Sequence, residues 1–200
     1  ERSGAKVIQK PLKQWFFKIT DYADELLNFV GLNWPKKTVA MQKNWIGKST
    51  GASIKFSISN FDEKIEVFTT RPDTLFGATY LVLSPEHPLT KKLSDNNLRV
   101  IKYIEDSASK NELQRLDLNK DKTGIFTGSY AINPANNKKI PIWTADYVLA
   151  SYGTGAIMAV PGHDERDNEF AIKYDINIEY VVSYSKDIES INTPIYEEGY

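Results

Sequence analysis

From Leu12 to Val30 the apolar residues Leu12, Trp15, Phe16, Ile19, Tyr22, Ala23, Leu26, Leu27 and Val30 recur at helical spacing, as one continuous stripe. Pro11 suits a first helical position, Gly31 a stop, and Pro35 lies beyond it, so the pattern predicts a helix over 12–30. A stripe this wide needs a large partner, expected in a part of the protein outside this chain. After Gly51 the period drops to two. Ile54, Phe56 and Ile58 alternate with Lys55 and Ser57, Asn60 to Glu63 reads as a turn, and Ile65 to Thr69 as a second strand. Further strands are predicted at Thr79–Leu83, Thr123–Ala131, Lys139–Thr144, Gly155–Val160 and Glu179–Ser183. Pro88 to Lys110 reads as one or two surface helices, and Asp164 to Tyr174 as a short helix with Phe170, Ala171 and Tyr174 on one side. Many short strands with few helices predict an α+β fold, a mixed barrel or sandwich, and not a βαβ array.

Charge divides the chain where the period changes. Residues 1–48 carry nine Lys/Arg and four Asp/Glu, and residues 49–200 carry 16 and 22. The whole chain is close to neutral, at −1, which excludes binding nucleic acid by bulk charge. A boundary is expected near Trp45–Lys48. The absence of Cys excludes disulfides, thiolate zinc sites and a cysteine nucleophile, and suits a reducing compartment. No apolar run approaches the ~20 residues of a membrane span, and the first residues have no signal-peptide core. The chain starts at Glu1 without Met, as expected of a fragment.

Three motifs compete for a chemical role. Gly47-Lys48-Ser49-Thr50 resembles the end of a phosphate loop, but Gln42 stands where that motif needs Gly, and strand follows in place of helix. Asp164 and Asp167, after His163, share one helix face. They can cap the helix N-terminus, hold a metal or serve another polar role. The run Thr69-Thr70-Arg71-Pro72-Asp73-Thr74 puts three hydroxyls, a guanidinium and a carboxylate at the exit of an apolar strand. It reads either as a polar turn or as a pocket that binds through hydrogen bonds, with Arg71 kept extended by Pro72.

Together, Met41 to Ser49 (MQKNWIGKS), Thr69 to Gly77 (TTRPDTLFG), Ala78 to Leu89 (ATYLVLSPEHPL) and Gly153 to Ala171 (GTGAIMAVPGHDERDNEFA) resemble the editing domain of bacterial or organellar leucyl-tRNA synthetase. Gln14 to Thr20 resembles its connecting segment, so the likeness covers nearly the whole chain. Isoleucyl and valyl enzymes share related segments but differ around the equivalents of Asp73 and Gly162-His163-Asp164. Motifs resembling HIGH and KMSKS are absent, so no aminoacylation is expected of this chain.

The resemblance implies a small closed β-barrel core with peripheral helices. It implies a connecting helical segment over 1–46 leading to the synthetase body, a hinge near Trp45–Ser49, and an editing domain over 47–200 that runs on past Tyr200. The implied activity is hydrolysis of the ester of tRNA(Leu) mischarged with isoleucine, methionine or norvaline. No cofactor is implied for editing; ATP and Mg2+ serve the full-length synthetase alone. The implied partners are the tRNA 3′ end and the remainder of the synthetase, in the cytoplasm and away from membranes.

By the same resemblance Asp167 holds the substrate α-ammonium, and Thr69 and Thr70 contact the terminal adenosine and orient the water. Thr74 blocks leucine; Tyr152, Met158 and Val160 surround the side chain and adenosine; Arg71 and Asp164 shape the site. A non-catalytic module for tRNA ends and a degenerate structural insert are the alternatives.

Overall fold

The computed structural model describes residues 12–95, 97–110, 114–115, 122–151 and 153–182. They fall into two compact units, one within 12–50 and the other from Gly51 onward.

In the first unit the predicted 12–30 helix is replaced by two short 3-10 turns, Ile19–Tyr22 and Glu25–Leu27. The reason lies in packing. An amphipathic helix draws most of its stability from a covered apolar face, and no described residue of this unit is buried. Trp15 and Phe17 are 101% and 99% exposed. The one regular helix, α1 (Lys36–Ile46), starts after Pro35 and ends at Gly47 in the left-handed conformation, φ 60°.

The second unit is built on six strands: β1 (Ala52–Ile58), β2 (Lys64–Thr69), β3 (Tyr80–Leu83), β4 (Gly124–Ile132), β5 (Lys139–Ala145) and β6 (Ala156–Ala159). Their order is β2-β1-β4-β5-β3-β6. The β1–β2 hairpin turns through Asn60 at φ 67° and pairs Phe56 with Ile65 and Ile54 with Val67. β3 runs parallel to β5 and antiparallel to β6. Among the described residues, helices with assigned bounds accompany the sheet at α2 (Pro88–Leu93), α3 (Leu98–Ala108) and α4 (Glu165–Lys173).

The expected closed barrel is not what forms. β2 and β6, the two edges, come close to one another, yet no ladder joins them and the sheet curls without closing. Closure needs the last pair of strands to share a long register. Here β2 ends at the Thr-rich corner and β6 stops after four residues, just before Pro161. Residues 179–182, expected as strand, lie outside any strand. Two of their amides donate to a histidine in place of a ladder: Val181 N and Val182 N both reach His163 Nε2, at 2.9 and 3.1 Å.

Strand alternation sorts the core into two layers. Phe56, Ile65, Val67, Leu81, Leu83, Ile142 and Met158 fill the concave side. Tyr80, Val82 and Ala145 form a second cluster with Phe170 and Ala171 of α4. Among the described residues no helix is long and apolar enough to cross a membrane.

Candidate functional site

The Thr-rich run forms a tight corner at the exit of β2. Thr69 Oγ1 accepts from Arg71 N at 3.0 Å, and a 3-10 turn follows over Pro72–Gly77. Arg71, at φ −121° and ψ 63°, has the φ expected before proline but leaves the extended region in ψ, because its carbonyl turns back to accept from Thr74 N and Thr74 Oγ1. Its guanidinium grips Asp73 through Nε and Nη2 at 2.8–3.2 Å. That hydrogen bonding holds the Asp73 carboxyl below its ordinary value. Thr70 is exposed at the corner. Thr74 is 3% exposed, and its Oγ1 donates to Arg71 O at 2.9 Å, which fixes the side-chain rotamer. From below, the buried Asn133 donates through Nδ2 to Leu75 O at 2.8 Å and Ala78 O at 3.3 Å. Sequence reading assigned Asn133 no role; a buried carboxamide has no periodic signature.

The second half hangs from β6. After Ala159 the chain turns at Val160, whose carbonyl accepts from His163 N and Asp164 N. Asp164 caps α4, with Oδ1 accepting from Arg166 N at 2.9 Å and Asp167 N at 3.1 Å. The capping alternative therefore describes Asp164. Asp167, one turn on, is 6% exposed, and its Oδ2 accepts from Val160 N at 2.8 Å. Burial, and next the Asp164 carboxylate, push its acid up to about 7; the Val160 N–H and the cations of Arg166 and Lys122 pull the other way.

Tyr80 supports this turn from β3. It stacks on Phe170 at 5.5 Å and donates its hydroxyl to Asp167 O at 2.9 Å. Burial holds the phenol far above its ordinary value, so it stays a donor. A tyrosine in an otherwise aliphatic strand was the one sequence hint of this contact. His163 is buried, and the two amides it accepts from require an unprotonated Nε2. Among the described residues no group of three His, Cys, Asp or Glu could hold a metal.

The two halves approach across the open seam. A Cβ on Gly77, at the end of the Thr-rich turn, would lie 3.3 Å from Val160 Cγ1. Leu75, Met158 and Val160 share one apolar cluster. The structure thus gathers Thr69, Thr70, Arg71 and Thr74 on one edge and Met158, Val160, Asp164 and Asp167 on the other. Tyr152 lies outside the described residues. The end of the Thr-rich turn, at Gly77, thus lies against Val160, whose N–H is held by the buried Asp167 carboxylate.

A family profile described as "Leucyl-tRNA synthetase, editing domain" matches residues 43–200. The chain is 56% identical over 192 residues to the leucine–tRNA ligase of Elusimicrobium minutum, covering 94% of this chain and 23% of that protein. It is 52% identical over 202 residues to that of Borrelia hermsii, covering 100% and 24%. A solved structure, the ternary complex of Agrobacterium radiobacter K84 agnB2 LeuRS with tRNA and LeuAMS, superposes with a TM-score of 0.76 at 35% identity, covering 96% of this chain and 23% of that one. The chain belongs to the leucyl-tRNA synthetase editing-domain family. It spans about a quarter of the length of the curated relatives it matches.

Proposed function

We propose that this chain hydrolyses the ester of tRNA(Leu) mischarged with isoleucine, methionine or norvaline, as the editing part of a cytoplasmic leucyl-tRNA synthetase. The observation that carries the reading is the contact of the Thr-rich turn, at Gly77, with Val160, whose N–H Asp167 holds, beside the seam between β2 and β6. A synthetic pocket separates aliphatic side chains by about 1–3 kcal/mol per methylene, so a second sieve has work to do.

An aminoacyl ester is already activated. What it needs is a fixed substrate, an oriented water and donors toward the developing oxyanion. Asp167, deprotonated, pairs with the α-ammonium. Thr69 and Thr70 hold the terminal adenosine and the water. The water oxygen bonds to the ester carbonyl carbon, the ester C–O bond breaks, and the ribose oxygen leaves as a hydroxyl with a proton from the attacking water. Met158, Val160 and Tyr152 line the side chain, while Arg71 and Asp164 shape the walls. No metal or cofactor enters; ATP and Mg2+ belong to aminoacylation by the whole enzyme, and the remainder of the synthetase delivers the tRNA.

The test is deacylation of isoleucyl- and leucyl-tRNA(Leu). The expected result is hydrolysis of the first and sparing of the second, unchanged by EDTA and nearly abolished in a folded Asp167→Ala. Loss of one partner of a buried charge pair typically costs about 2–5 kcal/mol. Normal activity in that variant, or loss of activity on chelation, overturns the reading.

A further inference from the structure

Residues 179–182, beyond α4, touch both turns that carry the proposed site. One contact is with Gly162, in the turn that leads from β6 to Asp167. A Cβ there would meet Glu179 O and, at 3.2 Å, the Tyr180 ring. The other is with Gly77, the last residue of the Thr-rich turn. A Cβ there would stand 2.8 Å from Val181 Cγ2 and 3.3 Å from Val160 Cγ1. The missing side chain at both positions lets the segment approach the two turns at backbone distance. β2 leads into the first turn and β6 into the second, and no ladder joins those strands. The segment therefore bears on both sides of the seam.

A histidine clasps it there. His163 is 8% exposed, and its own N–H donates to Val160 O at 2.9 Å, so its backbone is fixed to the Asp167 turn. Its Nε2 accepts from Val181 N at 2.9 Å and from Val182 N at 3.1 Å. The ring meets Tyr180 edge to face at 6.5 Å. An imidazole nitrogen that takes two amides on its lone pair is fully engaged, so Nε2 is not free to accept a proton from water or to bind a metal. Upstream the segment is moored to the body. Ile176 N donates to Ala171 O at 2.9 Å, and Glu179 Oε1 accepts from Lys138 Nζ at 2.7 Å and Asn177 Nδ2 at 3.1 Å.

We infer that His163 is a positioning residue of the editing site: through these two amides it holds residues 179–182 against Gly77 and Gly162, and so steadies the Thr-rich turn, with Thr74, relative to the Asp167 turn. The inference rests on the proposed function for the use to which that spacing is put. The α-ammonium is common to isoleucyl and leucyl esters, whereas the branch point of the side chain is not. Movement of the Thr-rich turn relative to Asp167 therefore changes the ratio of the two hydrolysis rates and not only their size.

The experiment compares His163→Asn with His163→Gln in the full chain. The Gln carboxamide oxygen reaches the place of Nε2 and can accept two amides; the Asn carboxamide falls one methylene short. Two readouts are taken: hydrogen–deuterium exchange of single amides, and single-turnover hydrolysis of isoleucyl- and leucyl-tRNA(Leu). In His163→Asn the expected result is at least tenfold faster exchange at Val181 and Val182. The same increase is expected across the seam at Thr74 and Ala78, whose amides donate to Arg71 O and Leu75 O. The ratio of isoleucyl to leucyl hydrolysis falls at least fivefold, and His163→Gln restores exchange and ratio to within twofold of the wild type. Partial unfolding would scale both rates alike, so the ratio is the decisive number. Val181→Ala keeps the amide but withdraws Cγ2 from Gly77, and it is expected to lower the ratio at least threefold. An unchanged ratio in His163→Asn and Val181→Ala overturns the inference. So does exchange that quickens at Val181 and Val182 but not at Thr74 and Ala78, or failure of Gln to restore. Exchange that responds as expected, in a chain that hydrolyses neither ester, supports the clasp and counts against the proposed function.

Discussion

Asp167 is asked to be charged in a place that resists charge. Its acid is raised to about 7 by burial and by Asp164, and the sign of the effect follows. The folded state holds the proton more tightly than the unfolded chain, so this contribution to stability is full below the ordinary value of 3.8 and lost as pH rises through about 7. The slope is at most about 1.4 kcal/mol per pH unit. Asp167→Asn is expected to flatten the fall in Tm between pH 4 and 7 and to melt higher than the wild type at pH 8. Activity runs the other way, because the ammonium needs the carboxylate. The kcat/KM for isoleucyl-tRNA is expected to rise to a break near pH 7 that Asp167→Asn lacks; the same break in that variant assigns it to another group. Thr74 is the second residue-scale case. Its hydroxyl is tied to Arg71 O, so its methyl is held still. Leucine branches at Cγ and isoleucine at Cβ, and a rigid β-branched wall can obstruct the first and admit the second. Thr74→Ala is expected to hydrolyse leucyl-tRNA(Leu) about 10- to 200-fold faster than the wild type, with isoleucyl-tRNA activity kept, in single-turnover assays. These residue types were legible in the sequence, together with the Asp164 cap. The proton affinity of Asp167 was not, because it depends on how deeply α4 sinks against β3.

Elements carry the geometry between those residues. The segment 176–182 runs so close to Gly162 that a Cβ there would stand 2.4 Å from Glu179 O. Overpacking of this kind costs typically about 1–3 kcal/mol. Gly162→Ala is expected to lower Tm and to loosen the His163 contacts to Val181 and Val182. Unchanged melting would mean that the 176–182 segment shifts freely. The β1–β2 hairpin was readable because period-two alternation and a polar turn agree there. The helix proposed for 12–30 failed because periodicity reports a face that wants covering and cannot report whether anything covers it. The 179–182 strand failed for a related reason: its amides found a side-chain acceptor, His163, far away in sequence.

At the scale of the molecule, charge and sheet closure are the properties that matter. Residues 49–200 carry six more acidic than basic groups, which opposes phosphate. The isolated chain is therefore expected to bind tRNA with a Kd weaker than about micromolar at physiological salt, measured as a salt titration. Tighter binding would show that the chain itself, without the synthetase body, supplies the affinity. The α+β class and the strand content were legible from short alternating runs. The open seam was not, since no sequence pattern says whether the first and last neighbours of a curled sheet join.

That seam makes the proposed substrate site something like a calliper. The Thr-rich corner rides on one jaw and the Asp167 turn on the other, with the width between them set by the bend of the sheet and not by a ladder. A ligand touching both jaws replaces the missing cross-links, so occupancy of the site becomes slower deuterium uptake by the seam-facing amides of β2 and β6, a signal that a fully bonded barrel, already protected all round, would not give.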